Sequence, residues 1–315
     1  MSRRERFARL TQAAGLRTVG RIPTWRGLLT LTYHRIAPHG DALHDPGQWS
    51  ATPEGFDAQL AWLSREVDVV DPPRLGEVQD APRGRHVLIT FDDGYLDNYE
   101  LAFPILRRHR LAAAFFISTG FIDRPRMPPW EEAAWMLRSS PRTGLSAAAD
   151  VTAKLRTLPP SDVDAFLDEL GELTGCERHP PGVEGLWMSW EMLRAMQAQG
   201  MEVGGHTVDH PLRLAALDED EQVRQIEGCA ARLREELGRP MSLFSYPVGT
   251  PGTYGQVALD TLERIGVQYA FANSGGYQRP RGWRPLELPR TNVGADWSHA
   301  VFAGVATHPG LLARY

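Results

Sequence analysis

The chain has 315 residues, of which 42% are hydrophobic, 23% charged and 9% aromatic, a globular composition that supplies a real core and excludes a mini-protein, a fibre and a disordered chain. A formal charge of −5 and a sequence pI of about 6.1 make nucleic acid an unexpected partner, since such proteins carry a basic domain. Thirty glycines and 24 prolines favour a loop-rich α/β enzyme scaffold over a helix bundle.

Residues 1–22 place Phe7, Leu10 and Ala14 at helical spacing among Arg3, Arg6, Arg9, Arg17 and Arg21. That basic segment suits contact with an anionic membrane surface or, equally, a solvated terminal helix. Arg3 and Arg4 resemble a twin-arginine signal, but no apolar core or small-residue cleavage site follows, and nowhere do roughly 18 apolar residues run together. The expected location is therefore cytoplasmic or peripheral to the membrane.

The sequence GLLTLTY at 27–33 predicts a strand, and Phe56, Leu60 and Leu63 predict a helix over 53–64 capped by Thr52 before a proline. A short strand is predicted over 67–71, a buried strand over 87–91, a helix over 96–108 and a strand over 113–118. Between 123 and 185 the pattern changes to proline-bounded helical pieces, such as 131–138 and 161–173, which reads as a helical insertion. The β/α rhythm then resumes with a helix over 190–199, a strand over 201–203, a helix over 218–237, a strand over 242–246, a helix over 254–265, and strands over 268–272 and 286–288. Seven or eight such units predict an α/β protein with a distorted (β/α) barrel over 23–315, interrupted by the insertion. Cys176 and Cys229 lack metal-site or disulfide spacing and read as buried small hydrophobes.

Barrel enzymes place reactive side chains at the carboxyl ends of strands, where the βα loops converge. His34 ends the first strand, Asp92 and Asp93 end VLITF, His206 and His210 follow MEVGG, and residues 246–249 follow SLFSY. Each motif alone has an ordinary explanation. Asp-Asp-Gly suits a turn, ten histidines yield an i, i+4 pair by chance, and a strand-end histidine commonly serves structure. Taken together, one carboxylate and two imidazoles form a catalytic divalent-metal set, Asp93, His206 and His210, with positions left for water and substrate. A cation on Asp93 would relieve its repulsion with Asp92 and free Asp92 to act as base.

Thr90-Phe91-Asp92-Asp93-Gly94, His206-Thr207-Val208-Asp209-His210 and Ser245-Tyr246-Pro247-Val248-Gly249, in that order and separation, resemble the polysaccharide deacetylases of carbohydrate esterase family 4, the NodB-homology domain. The resemblance covers about 28–305 and implies a distorted (β/α) barrel that removes N-acetyl groups from amino-sugar polymers or their glycan precursors, with zinc as the divalent metal. Carried over, Asp93, His206 and His210 match the metal ligands, Asp92 the catalytic base, and the backbone NH of Val248 the oxyanion donor.

Two departures stand out. No C-terminal Leu-x-His is clear, with His299 and His308 the only late histidines. The early LTYHRI instead resembles a circularly permuted branch and makes His34 the expected general acid. Ser245 stands where the third motif usually carries an arginine that orients the base, and Arg290, following the strand over 286–288, is the candidate substitute by position. A surface ion pair is the ordinary alternative for Arg290. Trp187, Trp190, Tyr246 and Trp297 suit either a sugar-stacking platform or core packing. A non-catalytic carbohydrate-binding relative, or a same-fold hydrolase of another amide, are the competing readings. No GxSxG elbow or GxxxxGK[ST] loop supports a serine hydrolase or a kinase.

Overall fold

A computed structural model describes residues 25–38, 45–81, 83–141, 148–178 and 183–313. The basic segment 1–22 lies outside the described residues.

The chain closes a parallel barrel of seven strands, β1 (Gly27–Tyr33), β5 (Arg85–Phe91), β6 (Ala114–Ile117), β7 (Glu202–Gly205), β8 (Leu243–Ser245), β9 (Tyr269–Ala272) and β10 (Leu288–Asn292), with β10 pairing back onto β1. The short β4 (Asp68–Val69) lies against the start of β5, and a separate parallel pair joins β2 (Arg35–Ile36) to β3 (Trp49–Ala51). Several strands begin or end a residue or two from their predicted bounds. The last differs more, because residues 285–287 form a 3-10 turn and the strand starts at Leu288. Arg290 is therefore inside a strand rather than after one.

Period-two alternation sorts the strands into an inner and an outer face. Leu29, Leu31, Tyr33, Val87, Ile89, Phe91, Phe115 and Ile117 face outward into the main core beneath the helices. Leu28, Leu88, Phe116, Leu243, Phe271 and Leu288, from strands all round the barrel, form a separate apolar cluster inside it. The helix Leu75–Asp80 adds Leu75 and Val78 to this cluster and closes the amino end. Above that floor the inward positions become polar, with Thr30, Thr90, Ser245, Arg290 and Asp92 all buried.

The outer helices obey their local signals. Thr52 Oγ1 accepts from the Gly55 N–H and Pro53 occupies the first turn of Pro53–Glu66, while Asp218 caps Glu219–Leu237 by accepting from Glu221 N–H. The predicted helix over 96–108 contains a π-turn at Asn98–Ala102 before Phe103–His109, an irregularity frequent beside functional sites.

Between β6 and β7 the described residues contain helices and no strand. Pro129–Ser139, Ala148–Leu155 and Val163–Thr174 pack Trp130, Met136, Leu137, Leu155, Leu167 and Leu170 into a satellite core with Tyr95, Phe121 and Trp187. Cys229 is buried as expected, whereas Cys176 is only half-buried at the edge of this satellite core, its thiol 3.4 Å from the Met136 carbonyl. No helix among the described residues is long and apolar enough to cross a membrane.

Candidate functional site

A cavity of about 540 Å³ opens at the carboxyl end of the barrel, the end to which strand topology directs reactive groups. His34, Asp92, Asp93, His206, His210 and Val248 all line it. Arg290 lies beneath its floor, against Asp92.

Asp93, His206 and His210 come from two different loops and bring one ligand atom each to within 4.8 Å of one another. The His206 and His210 Nε2 atoms lie 3.4 and 3.3 Å from Asp93 Oδ1, which is buried and has no hydrogen-bond partner among the described residues. His206 Nδ1 sits 2.7 Å from the Ser245 carbonyl. A carbonyl only accepts, so Nδ1 carries the proton and Nε2 presents its lone pair to the cluster. One orphaned carboxylate oxygen beside two imidazole nitrogens is a donor set that fits a divalent cation such as zinc.

The backbone holds this geometry at a cost. Asp93, Thr207, His210 and Val248 all have positive φ, at 76°, 68°, 52° and 59°, and they account for all but Arg110 among the described non-glycine residues with that feature. Such conformations cost of order 1–3 kcal/mol each and cluster at functional sites. Gly205 lets the surrounding layers close in, since a Cβ there would meet Met241 Sδ at 2.3 Å and Cys229 Sγ at 3.0 Å.

Arg290 is fully buried and forks onto Asp92, with Nη1 donating to Oδ1 and Nη2 to Oδ2 at 2.7 Å each. It is not a surface ion pair. Nη2 also donates to Ser245 Oγ at 2.7 Å, and that hydroxyl donates to Asp92 Oδ2 at 3.2 Å. The serine in place of the motif arginine thus leaves room for a guanidinium that arrives from β10, and joins its hydrogen bonding. The guanidinium also stacks over Phe116, 5.6 Å from the ring centroid.

These contacts set the charges. Burial pushes the Asp92 carboxyl up, but Arg290 and His206 more than offset it and hold the group below its ordinary value. For Asp93, burial is outweighed by the two imidazoles and the carboxyl falls well below the usual range. The imidazoles move in opposite directions: burial opposes protonation of both, yet Asp92 and Asp93 raise His206 whereas His210 stays lowered. Burial also lowers His34, with Asp93 and Asp92 pulling the other way.

His34 is held at its backbone, where its N–H donates to Ser50 Oγ at 3.0 Å and its carbonyl accepts from Asn98 Nδ2 at 2.7 Å. The Val248 N–H makes no hydrogen bond among the described residues, while its carbonyl accepts from Asn273 Nδ2 at 2.9 Å. An unpaired backbone donor at the cavity wall is available to an oxyanion. Neither His299, at the start of the helix His299–Thr307, nor His308, just after it, lines the cavity.

Of the four aromatic candidates, only Trp297 lines the cavity. Trp187 stacks with Phe121 and Tyr95, Tyr246 stacks on Tyr254, and Trp190 donates to Asp123, so these three serve packing. Trp130, which sequence reasoning does not single out, does line the cavity, against His210 with ring centroids 4.6 Å apart. Asn273, one residue past β9, is within reach of the strand-end rule that singles out His34. The remaining wall, including Thr152, Leu155 and Arg156, carries no sequence signal of its own.

Comparison with known proteins agrees with this architecture. The family model described as polysaccharide deacetylase matches residues 79–270. The Bacillus subtilis (strain 168) protein YxkH, whose name places it among the polysaccharide deacetylases, is 23% identical over 273 residues, covering 85% of this chain and 72% of its own. Among solved structures, the Streptococcus pyogenes deacetylase PplD in complex with acetate superposes with a TM-score of 0.60 at 17% identity, covering 93% of this chain and 99% of its own. IcaB from Ammonifex degensii gives 0.58 at 23% identity, covering 89% and 96%. The polar mouth of this barrel, its three spaced motifs and the matched family model lead to one assignment: the chain belongs to the polysaccharide deacetylase family, with the NodB-type (β/α) barrel of carbohydrate esterase family 4.

Proposed function

We propose that this chain removes N-acetyl groups from an amino-sugar polysaccharide or its glycan precursor and releases acetate. The observation that carries the reading is the Asp93, His206 and His210 cluster set beside an arginine-paired Asp92 on one cavity floor. The acetate described with the structurally similar streptococcal deacetylase supports the choice of acyl group.

Asp93 Oδ1 and the Nε2 atoms of His206 and His210 are the groups that would hold a divalent cation, with zinc the expected ion. The chemistry such a cation supplies when bound is Lewis-acid polarisation of the amide carbonyl and a more acidic water.

The protein's own residues supply the rest. Asp92, kept ionised by Arg290, takes the proton from the attacking water as its oxygen bonds to the acetyl carbon. The Val248 N–H donates to the carbonyl oxygen as negative charge builds there, an interaction that strengthens toward the transition state. His34 in its protonated form gives its proton to the amide nitrogen while the C–N bond breaks, so that acetate and a free amine leave. Ser245 and Arg290 act as positioning residues, fixing the Asp92 carboxylate plane.

The test pairs elemental analysis with acetate release. After zinc loading and removal of excess, wild type should retain about one metal per chain, and His206→Ala should lose both metal and turnover of N-acetylglucosamine oligomers. A folded wild type that retains no metal would sink this reading and favour a carbohydrate-binding role.

A further inference from the structure

His34 and Asp92 leave adjacent strands at the same level. Tyr33 of β1 is in register with Phe91 of β5, and the Asp92 N–H donates to the Tyr33 carbonyl at 3.0 Å. Beyond that bond the two strands part, Asp92 into the Asp-Asp-Gly turn and His34 toward the separate pair of β2 and β3. The sheet therefore holds Asp92 directly. The segment after β1 has lost its ladder to β5, and its buried backbone groups need other partners.

Those partners are buried side chains. The His34 N–H donates to Ser50 Oγ at 3.0 Å, and the His34 carbonyl accepts from Asn98 Nδ2 at 2.7 Å. Asp97 engages the next two residues, with Oδ2 accepting from Arg35 Nε at 2.8 Å and Oδ1 from the Ile36 N–H at 3.2 Å. Asn98 Nδ2 also donates to Asp97 Oδ1 at 3.0 Å, which joins the two side chains into one unit. Ser50 and Asp97 are buried, and Asn98 is completely so. Asp97 and Asn98 open the π-turn that follows β5, an irregularity that here has a use. The stretch 92–98 thus carries Asp92, Asp93 and this clamp on residues 34–36.

The His34 imidazole has no comparable support of its own. Among the described residues its ring makes no hydrogen bond, whereas His206 is fixed through Nδ1 by the Ser245 carbonyl. A catalytic histidine is ordinarily oriented by a partner on its second ring nitrogen. With that partner missing among the described residues, orientation has to come through the main chain.

We propose that Asp97 and Asn98 are positioning residues for His34, fixing the general acid through the backbone of residues 34–36. The inference rests on the deacetylase reading above, in which His34 protonates the departing nitrogen. It adds that the same loop sets the base and the place of the acid, so that the two stay in step across the substrate. Misplacing a reacting group by about 1 Å costs about 10²-fold in rate, which makes such a clamp worth its buried polar groups.

Two substrates separate this role from general damage. An N-acetyl amide needs a proton on its nitrogen as the C–N bond breaks, whereas the leaving group of an aryl acetate ester departs unprotonated. With the zinc-loaded full chain, Asn98→Ala should lower kcat on N-acetylglucosamine oligomers by about 10–100-fold with KM within about twofold of wild type. Its zinc content should be unchanged, and the ratio of ester to oligomer turnover should rise. His34→Ala should raise that ratio further. The double variant should be about as slow on the oligomer as His34→Ala alone, since a residue that acts only through His34 then has nothing to position. Asp97→Asn keeps the size of the side chain and is the second variant, expected to shift the ratio in the same direction, and thermal unfolding shows which variants are folded at the assay temperature. Normal oligomer turnover in the folded variants, equal losses on ester and oligomer, or losses that multiply in the double variant would overturn the assignment. Wild-type oligomer turnover by His34→Ala would overturn it at a different point, by removing His34 as the acid, and a wild type that releases no acetate from the oligomer would sink the deacetylase reading beneath it.

Discussion

The two sides of the cavity are built by different means. One side is the carboxyl end of the barrel, where Arg290 lies within β10 and Asp92, Asp93 and His206 lie one or two residues past the end of a strand, all almost fully buried. The other side is a wall of helices, in which Trp130, Thr152, Leu155 and Arg156 reach the cavity from elements packed on their own satellite core. Strand ends hold atoms by covalent proximity to a closed hydrogen-bonded sheet, whereas the wall holds them through side-chain packing. The difference predicts that chemistry is concentrated in the first region, and that the second can change without stopping it.

The sharpest way to break that division is at Asp92. Asp92→Asn keeps the size and most hydrogen-bonding capacity of the side chain but cannot accept the water's proton. Turnover should fall by about 10²–10⁴-fold with metal content unchanged, and a variant with near-normal acetate release would remove Asp92 as the base.

Arg290 tests whether the barrel side is also the costly side in stability. Arg290→Met keeps bulk against Phe116 but leaves the Asp92 carboxylate buried with the Ser245 hydroxyl as its side-chain hydrogen-bond partner among the described residues and His206 Nε2 3.8 Å away. Removing one member of a buried pair costs about 3–5 kcal/mol, so urea unfolding should show a large loss. The Asp92 pKa should rise as well, because Arg290 is the foremost of the groups that lower it. If Arg290→Met and Asp92→Asn combined are no less stable than Arg290→Met alone, the coupling between them is confirmed by the cycle.

The wall should respond in the opposite sense. Leu170 is buried in the satellite core, and Leu170→Ala should cost about 2–5 kcal/mol of stability. Its effect on kcat with a short oligomer should stay within about threefold, since no reacting group is anchored there. A loss of turnover comparable with that of Asp92→Asn, in protein shown to be folded, would erase the division of labour.

The same division governs how much of the molecule is legible in its sequence. Strand alternation at 27–33 and 87–91 is a strong local signal, and the reactive residue types fall next to it, so Asp92, Asp93, His206 and His210 stand out as a set. Arg290 is reachable because a buried carboxylate needs a cation. The sequence puts it after a strand instead of within one because Pro285 and Pro289 obscure where β10 begins: residues 285–287 form a 3-10 turn, and Pro289, a residue that argues against a central strand, lies within β10. Nothing marks Thr152 or Leu155 as cavity residues, because threonine and leucine on a helix have many ordinary uses. Trp130 escapes notice for the related reason that its role depends on how the helix Pro129–Ser139 docks beside His210, which is a tertiary fact. Trp187, Trp190 and Tyr246 are ambiguous by type alone, and their contacts make them packing residues.

Where the two regions meet, a buried acid should give the smallest and most pH-dependent effect. Glu131, on the first turn of Pro129–Ser139, accepts from Tyr95 Oη at 3.0 Å, and Tyr95 Oη in turn accepts from Trp130 Nε1 at 2.8 Å. Arg35 approaches Glu131 at 3.6 Å but is engaged more closely by Asp97 at 2.8 Å. Burial therefore dominates, and pushes the Glu131 carboxyl from 4.5 up to about 7. A pKa raised on folding means that the folded state favours the neutral acid. Its contribution to stability is complete below pH 4.5 and is lost as pH rises through about 7, a change of at most about 3 kcal/mol. Glu131→Gln, neutral at every pH, should flatten that part of the stability profile between pH 5 and 8, and should matter least at the acid end. An unchanged profile in the variant would mean that Arg35 keeps Glu131 ionised throughout, and that the junction between barrel and wall is held by an ion pair instead of a neutral hydrogen-bond chain.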